Sequence, residues 1–350
     1  MSDTKVFTPA SPAQPASSAP AQTIVVQSGT GIWRSWLTKL LIAALGVSIL
    51  GNVGMYNSYR EYFSSTERPQ EKFHSGDEKA ADKILVLSVA GTIMPPFTER
   101  LLRQIEQAGK DDKIKGVLLV VDSPGGLVAD SHEIYHRLQQ LGKKKPIYVQ
   151  MKRMAASGGY YISMGAGTEA KIFAEPTTWT GSIGVIIPRY DASKLADKIG
   201  LASDPLKTGE FKDALNPFRP MTENDRKLWE NILDQSFQKF IKVIDDNRDG
   251  LDADAVKALA TGQIYTADDA KEKKLVDEIG YEEDALKALQ SKLGLTAVRV
   301  VYYKAESTLL EQLLGVSMQA KPSIDPWKIL VESSVPRAMY LCSWLPALPE

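Results

Sequence analysis

The segment Ala155-Ala156-Ser157-Gly158-Gly159-Tyr160-Tyr161 directly follows the apolar run Ile147–Gln150. A serine where a strand gives way to a helix has two conventional uses. It caps the helix, or it presents its hydroxyl as a nucleophile, with the next amide, that of Gly158, helping to bind an oxyanion. The small residues around it leave room for an extended peptide. Two more glycine turns share this placement. Asp122-Ser123-Pro124-Gly125-Gly126 closes the apolar run Gly116–Val121 and frees backbone amides for a developing negative charge. An ordinary strand-to-helix turn is the bland alternative. Thr180-Gly181-Ser182-Ile183-Gly184-Val185, taken alone, reads as a glycine turn between strands.

A serine nucleophile needs a base. A Ser-His-Asp triad needs a histidine, and of the 3 in the chain (His74, His132, His136) none follows His136. His132 and His136 stand one helical turn apart, a spacing that can clip a metal. No third ligand accompanies them, and a solvated helix face is the preferred reading. His132-Glu133-Ile134-Tyr135-His136 does spell HExxH, but without that third ligand it gives metal-assisted hydrolysis no support, and the single cysteine, Cys342, allows neither an intramolecular disulfide nor a cysteine metal site. Lysine remains. It acts as a base only when neutral, a state that desolvation favours. Lys207 and Lys212 both lie in Leu206–Ala214, and composition selects neither.

The elements that must hold these residues alternate. Strands are expected at Ile84–Val89, Gly116–Val121, Ile147–Gln150 and Val298–Tyr303. Helices are expected over 97–108, from Val128 to Leu141, from about Ala155, and near 252–260, 266–273 and 281–292. Thr222 is placed to cap a long helix whose apolar stripe is Trp229, Ile232, Leu233, Phe237, Phe240, Ile241 and Ile244. This rhythm predicts an α/β layer structure with mostly parallel pairing.

The formal net charge of −1 offers no basic face for nucleic acid. Residues 1–35 are proline-rich and polar, the composition of a disordered tail. Residues 36–59 read as a transmembrane anchor: from Leu40 to Tyr59 no residue carries a formal charge, with Trp33 and Trp36 at one edge and Tyr56 and Tyr59 at the other. Arg34 and Lys39 place the N-terminus in the cytoplasm, and the catalytic domain is then periplasmic or extracytoplasmic. Residues 60–80 are charged and read as a linker or solvated helix. A domain over 81–305 follows, then a tail over 306–350 with a short apolar helix (Leu309, Leu310, Leu313, Leu314) and no legible role.

The ordered set Asp-Ser-Pro-Gly-Gly, Ala-Ser-Gly-Gly-Tyr-Tyr, Thr-Gly-Ser-Ile-Gly-Val and Gly-x-x-Lys-Asp, with Asn216-Pro217-Phe218-Arg219 and Met221-Thr222, resembles the signal peptide peptidase A family over roughly residues 82–305. The resemblance implies a crotonase/ClpP-like fold and a Ser–Lys dyad. Ser157 matches the nucleophile, Lys212 and not Lys207 the general base, and Ser182 the serine that orients the lysine. Gly158 and the Gly125/Gly126 pair match the oxyanion hole. It further implies peptide substrates such as cleaved signal peptides, no cofactor, and homo-oligomers in which serine and lysine can come from neighbouring subunits. Membrane-protein quality control is the alternative role. Two rivals are a crotonase-type acyl-CoA enzyme on the same fold and a non-catalytic membrane scaffold.

Overall fold

Two of the expected strands alternate strictly between two cores. Leu85, Leu87 and Val89 of one strand, with Val117, Leu119 and Val121 of the next, join the larger core. Ile84, Val86, Leu118 and Val120, between them, join a second core on the opposite face. With side chains pointing alternately to the two faces of a strand, apolar residues at every position require a sheet covered on both sides.

The structure, a computed structural model, describes residues 36–63, 69–304 and 338–342. It divides into two units. Among the described residues of the first is one helix, α1 (Trp36–Phe63). Among the described residues no helix is long and apolar enough to cross a membrane. The expected disordered tail over 1–35 and the expected helix near Leu309 lie outside the described residues.

The second unit runs β1 (Glu71–Gly76), β2 (Lys83–Ala90), α2 (Phe97–Lys110), β3 (Ile114–Ser123), β4 (Gly125–Leu127), α3 (Val128–Gly142), β5 (Ile147–Ala156) and α4 (Gly158–Ser163). Next come β6 (Ile172–Ala174), β7 (Trp179–Gly181), α5 (Ser193–Ile199), α6 (Glu223–Asp245), α7 (Ala253–Leu259) and β8 (Ile264–Thr266). It closes with α8 (Ala267–Glu272), β9 (Glu278–Ile279), α9 (Glu282–Lys292), β10 (Arg299–Tyr303) and β11 (Met339–Leu341). The sheet order is β1-β10-β2-β3-β5-β6-β9. From β10 to β9 every pairing is parallel, as the strand–helix alternation predicts.

Residues 60–80 differ from expectation. They contain the edge strand β1, antiparallel to β10 and pinned by Lys83, whose ammonium contacts Glu71 at 2.7 Å and Asp111 at 3.2 Å.

The branch point of the sheet builds the site. β5 carries two partners in succession, β6 along Val149–Met151 and β7 along Met154–Ala156. The expected strand ended at Gln150, because Lys152 and Arg153 interrupt the apolar run. Backbone pairing carries it to Ala156 and sets Ala156 opposite Gly181. On the other side Ser123 of β3 is opposite Ala155. All three glycine turns therefore meet at one end of the sheet.

Candidate active site

Ser157 occupies the turn between β5 and α4 at φ 53° and ψ −112°. A non-glycine residue at positive φ is strained by roughly 1–3 kcal/mol and persists only where its surroundings enforce it. Here the Ser157 amide donates to the Gly181 carbonyl at 2.8 Å, and the Tyr161 amide donates to the Ser157 carbonyl at 2.8 Å. The serine hydroxyl makes no capping bond to α4, so the capping alternative fails. Ser182, next to Gly181, is a second strained serine at φ 49°, and its amide donates to the Gln263 carbonyl at 2.7 Å.

Gly158 and the Pro-Gly-Gly turn touch. A Cβ at Gly158 would fall 2.7 Å from Ser131 Oγ and 3.0 Å from the Gly126 amide nitrogen. Gly125, at φ +103°, would place a Cβ 2.7 Å from the Gly158 nitrogen. The Gly125 amide already donates to Ser123 Oγ at 3.1 Å. The turn therefore needs glycine at 125 for close approach to Gly158. Ser131, fully buried behind Gly158, was not singled out by sequence reasoning. Its position on the first turn of α3, after the Gly-Gly, is the only signal that pointed to it.

The groove above these amides holds a peptide from the chain's own end. β11 pairs antiparallel with β4, Tyr340 opposite Gly126. The Val128 amide donates to the Ala338 carbonyl at 3.1 Å, and the Cys342 amide to the Pro124 carbonyl at 2.8 Å. Alternation along an antiparallel ladder then turns the Gly126 amide toward Tyr340. On its other edge the strand exchanges bonds with Ile186, at 3.0 Å and 2.9 Å. The Tyr340 carbonyl oxygen lies 2.0 Å from where a Cβ of Gly125 would be.

The Tyr340 side chain is fully buried. It lies 4.8 Å from the ring of Tyr161 and 4.7 Å from that of Phe240, and its hydroxyl donates to the Ser236 carbonyl at 2.9 Å. Tyr135 and His132 complete the wall: His132 Nδ1 is hydrogen-bonded to the Tyr161 hydroxyl at 2.7 Å and its ring stacks on Tyr135. This corrects the solvated-face reading for His132, which is half-buried; His136 is exposed. Burial, then the neighbouring charges of Lys239 and His136, hold the His132 pKa below its ordinary value. Among the described residues no cluster of histidine, cysteine and carboxylate side chains could hold a metal ion.

Among the described residues no hydrogen bond joins Lys212 to Ser157. Lys212 stands exposed on the 3-10 turn Glu210–Asp213. That turn is fixed through Asp213, which accepts from Arg219 Nε and Nη2 at 3.0 Å each and from Lys207 Nζ at 2.6 Å. Arg219 Nη1 reaches on to Asp225 at 2.7 Å. The same carboxylate closes the expected cap of α6, where the Asp225 amide donates to Thr222 Oγ1 at 3.1 Å and the Thr222 amide to Asp225 Oδ2 at 3.0 Å. Arg219 holds both carboxyls below their usual range, Asp225 at about 2. Lys207 is thus spent on an ion pair.

A mixed α/β layer fold, with a serine presented at a strand end beside two backbone amides and a bound peptide strand, defines a hydrolase of the ClpP/crotonase type. Comparison with known proteins agrees. The chain matches the models of peptidase family S49 over residues 139–296 and of Clp protease over residues 79–180. It is 38% identical to an Enterococcus faecium protein provisionally named signal peptide peptidase SppA, covering 71% of this chain and 74% of that one. A protein of Synechocystis sp. provisionally named as a protease is 33% identical, with 69% and 87% covered. The chloroplastic serine protease SPPA of Arabidopsis thaliana is 30% identical, with 65% and 34% covered. The chain belongs to peptidase family S49 and is a serine peptidase.

Proposed function

We propose that the chain is a membrane-anchored endopeptidase in which Ser157 attacks the peptide carbonyl and Lys212 of a neighbouring subunit takes its proton. Ser182 orients that lysine, and the amides of Gly158 and Gly126 hold the oxyanion, with Gly125 clearing the space. The observation that carries this reading is the strained, uncapped Ser157 facing a backbone-paired peptide strand. Acyl transfer follows: the alkoxide adds, the amine departs with the serine proton, and water releases the acyl-enzyme.

Lys212 in trans is supported by the surface around it. Leu195, Ile199, Leu201, Leu206 and Phe211 are all exposed, an apolar patch of the kind that marks a subunit contact. The first half of the α6 stripe, Trp229, Ile232 and Leu233, is only half-buried.

Anchoring through residues 36–59 is supported by the uncharged run from Leu40 to Tyr59. Leu40, Leu41, Ile42, Leu45, Val47, Ile49 and Leu50 are exposed on α1. The N-terminus then lies in the cytoplasm and the peptidase domain outside it. Substrates are cleaved signal peptides or other hydrophobic segments, in keeping with the groove's aromatic wall. The test is hydrolysis of an apolar peptide by the full-length protein in detergent. Wild type cuts it, while Ser157→Ala and Lys212→Ala do not; unchanged turnover in either variant overturns the corresponding role.

A further inference from the structure

We propose that the cleft beside the open edge of β2, between α2 and the end of β10, binds the C-terminal carboxylate end of an apolar peptide. The enzyme thereby favours excised peptides over the same segments inside intact proteins. That consequence for turnover rests on the peptidase reading; the binding does not.

The edge is open because β10 stops short. Its pairing with β2 ends at Tyr302 opposite Val86, while on the other side β2 stays paired with β3 through Ala90. The Arg299 amide donates to the Asp82 carbonyl at 3.0 Å, and the Lys83 amide to the Lys113 carbonyl at 2.8 Å. Alternation along β2 then turns its even-numbered backbone groups toward β10 and its odd-numbered ones toward β3. Among the described residues, Ser88 and Ala90 therefore present amide and carbonyl to an edge with no strand on it, and both are exposed. Such an edge takes an added peptide strand.

A cleft of about 250 Å³ adjoins this edge at Ser88. It is smaller than the about 300–1,000 Å³ of a drug-sized pocket and suits one terminal residue. Phe97, Leu101 and Tyr302 give it apolar walls, while Arg100, Arg103 and Lys304 bring positive charge. Among the described residues no carboxylate lines it. Arg103 and Lys304 are half-buried, where a charge is screened less than at the open surface. Apolar walls, cations and free backbone groups together match one chemistry, an apolar last residue with its α-carboxylate. A fatty acid or an anionic lipid would meet the walls and cations but leave the backbone edge unused.

The edge leads to the oxyanion turn. Three residues beyond Ala90, the Ile93 amide donates to the Gly125 carbonyl at 2.8 Å, and the Ile93 carbonyl accepts from the Leu127 amide at 2.9 Å. Three residues span at most about 11 Å, so a peptide held at β2 by its end is within reach of that turn.

The test uses the full-length Ser157→Ala protein in detergent and an apolar peptide whose last residue is the photocrosslinker benzoylphenylalanine. The peptide is made with a free carboxylate or a terminal amide. The acid is expected to crosslink to α2 or β10 and to bind about ten-fold tighter than the amide. Arg103→Gln combined with Lys304→Gln is expected to erase that preference. With Ser157 intact, the acid is expected to exceed the amide about ten-fold in kcat/KM. The double variant then cuts the amide as wild type does and the acid no better. Equal binding or equal kcat/KM of acid and amide, crosslinks confined to other elements, or displacement of the acid by phosphatidylglycerol in the same detergent overturns the inference and leaves the peptidase reading standing. If the acid binds at the cleft but wild type hydrolyses neither peptide, the binding stands and the peptidase reading falls.

Discussion

The amide of Ser157 donates to the carbonyl of Gly181 at 2.8 Å, so the serine at the end of β5 and the glycine at the end of β7 are locked together at backbone level. The bond explains why Ser157 and Ser182, distant in sequence, both sit at positive φ within one turn region. It also means that the conformation of Ser157 is imposed from outside its own loop.

Strain held this way should be recoverable. Ser157→Gly, which accepts positive φ without a Cβ penalty, is expected to raise stability by about 1 kcal/mol while abolishing hydrolysis. In this unit the gain corresponds to about 2–4 °C in Tm. Calorimetry showing no gain, or a loss, would contradict the strain assignment.

Gly125 tests the oxyanion geometry separately from the nucleophile. Gly125→Ala would put a methyl 2.7 Å from the Gly158 nitrogen and in the space taken by the Tyr340 carbonyl. The expected fall in kcat/KM is about 10²–10³, the usual cost of losing an oxyanion contact. Circular dichroism verifies that the variant is folded; wild-type kcat/KM in a folded Gly125→Ala protein would refute the placement.

The Arg219 clamp predicts an acid-side signature. Asp213 and Asp225 have depressed pKa values, chiefly through Arg219. Depressed carboxyls contribute stability that is complete above the unfolded value, near 4, and is lost as pH falls through the folded values. For Asp225 the window closes at about 2. Tm is expected to drop as pH falls across that window. In Arg219→Met the drop shrinks and neutral-pH stability is lower; parallel profiles for the two proteins would show that the clamp contributes nothing.

Much of the fold was legible because the covered sheet makes Ile84–Val89, broken only at the exposed Ser88, and Gly116–Val121 largely apolar runs, and because Thr222 advertises its helix. β1 was not legible: its residues Glu71–Gly76 are nearly all exposed, so pairing with β10 holds it and no alternation betrays it. β11 is three residues in a tail whose register is set by β4, not by its own pattern. At the site, residue types announced Ser157, Gly158 and Gly125. That the Gly125 amide already donates to Ser123 Oγ was hidden, since it depends on where one amide points. The tyrosine pocket was hidden too, for its walls come from α3, α4 and α6.

The proposed sharing of the site between subunits has a quantitative consequence. When Ser157→Ala and Lys212→Ala chains are co-assembled in equal amounts, about one site in four combines an intact serine with a neighbour's intact lysine. About a quarter of wild-type activity is then expected from two inactive parents. Mixtures as inactive as their parents would place the lysine in the same chain as the serine or remove it from the reaction.

The central claim, that Ser157 is the nucleophile, is tested most directly by labelling the full-length protein with a fluorophosphonate and sequencing the modified peptide by mass spectrometry. The account predicts one adduct, on Ser157, absent from Ser157→Ala. A folded wild-type protein that takes no label, or takes it on Ser182 or another residue, would contradict it.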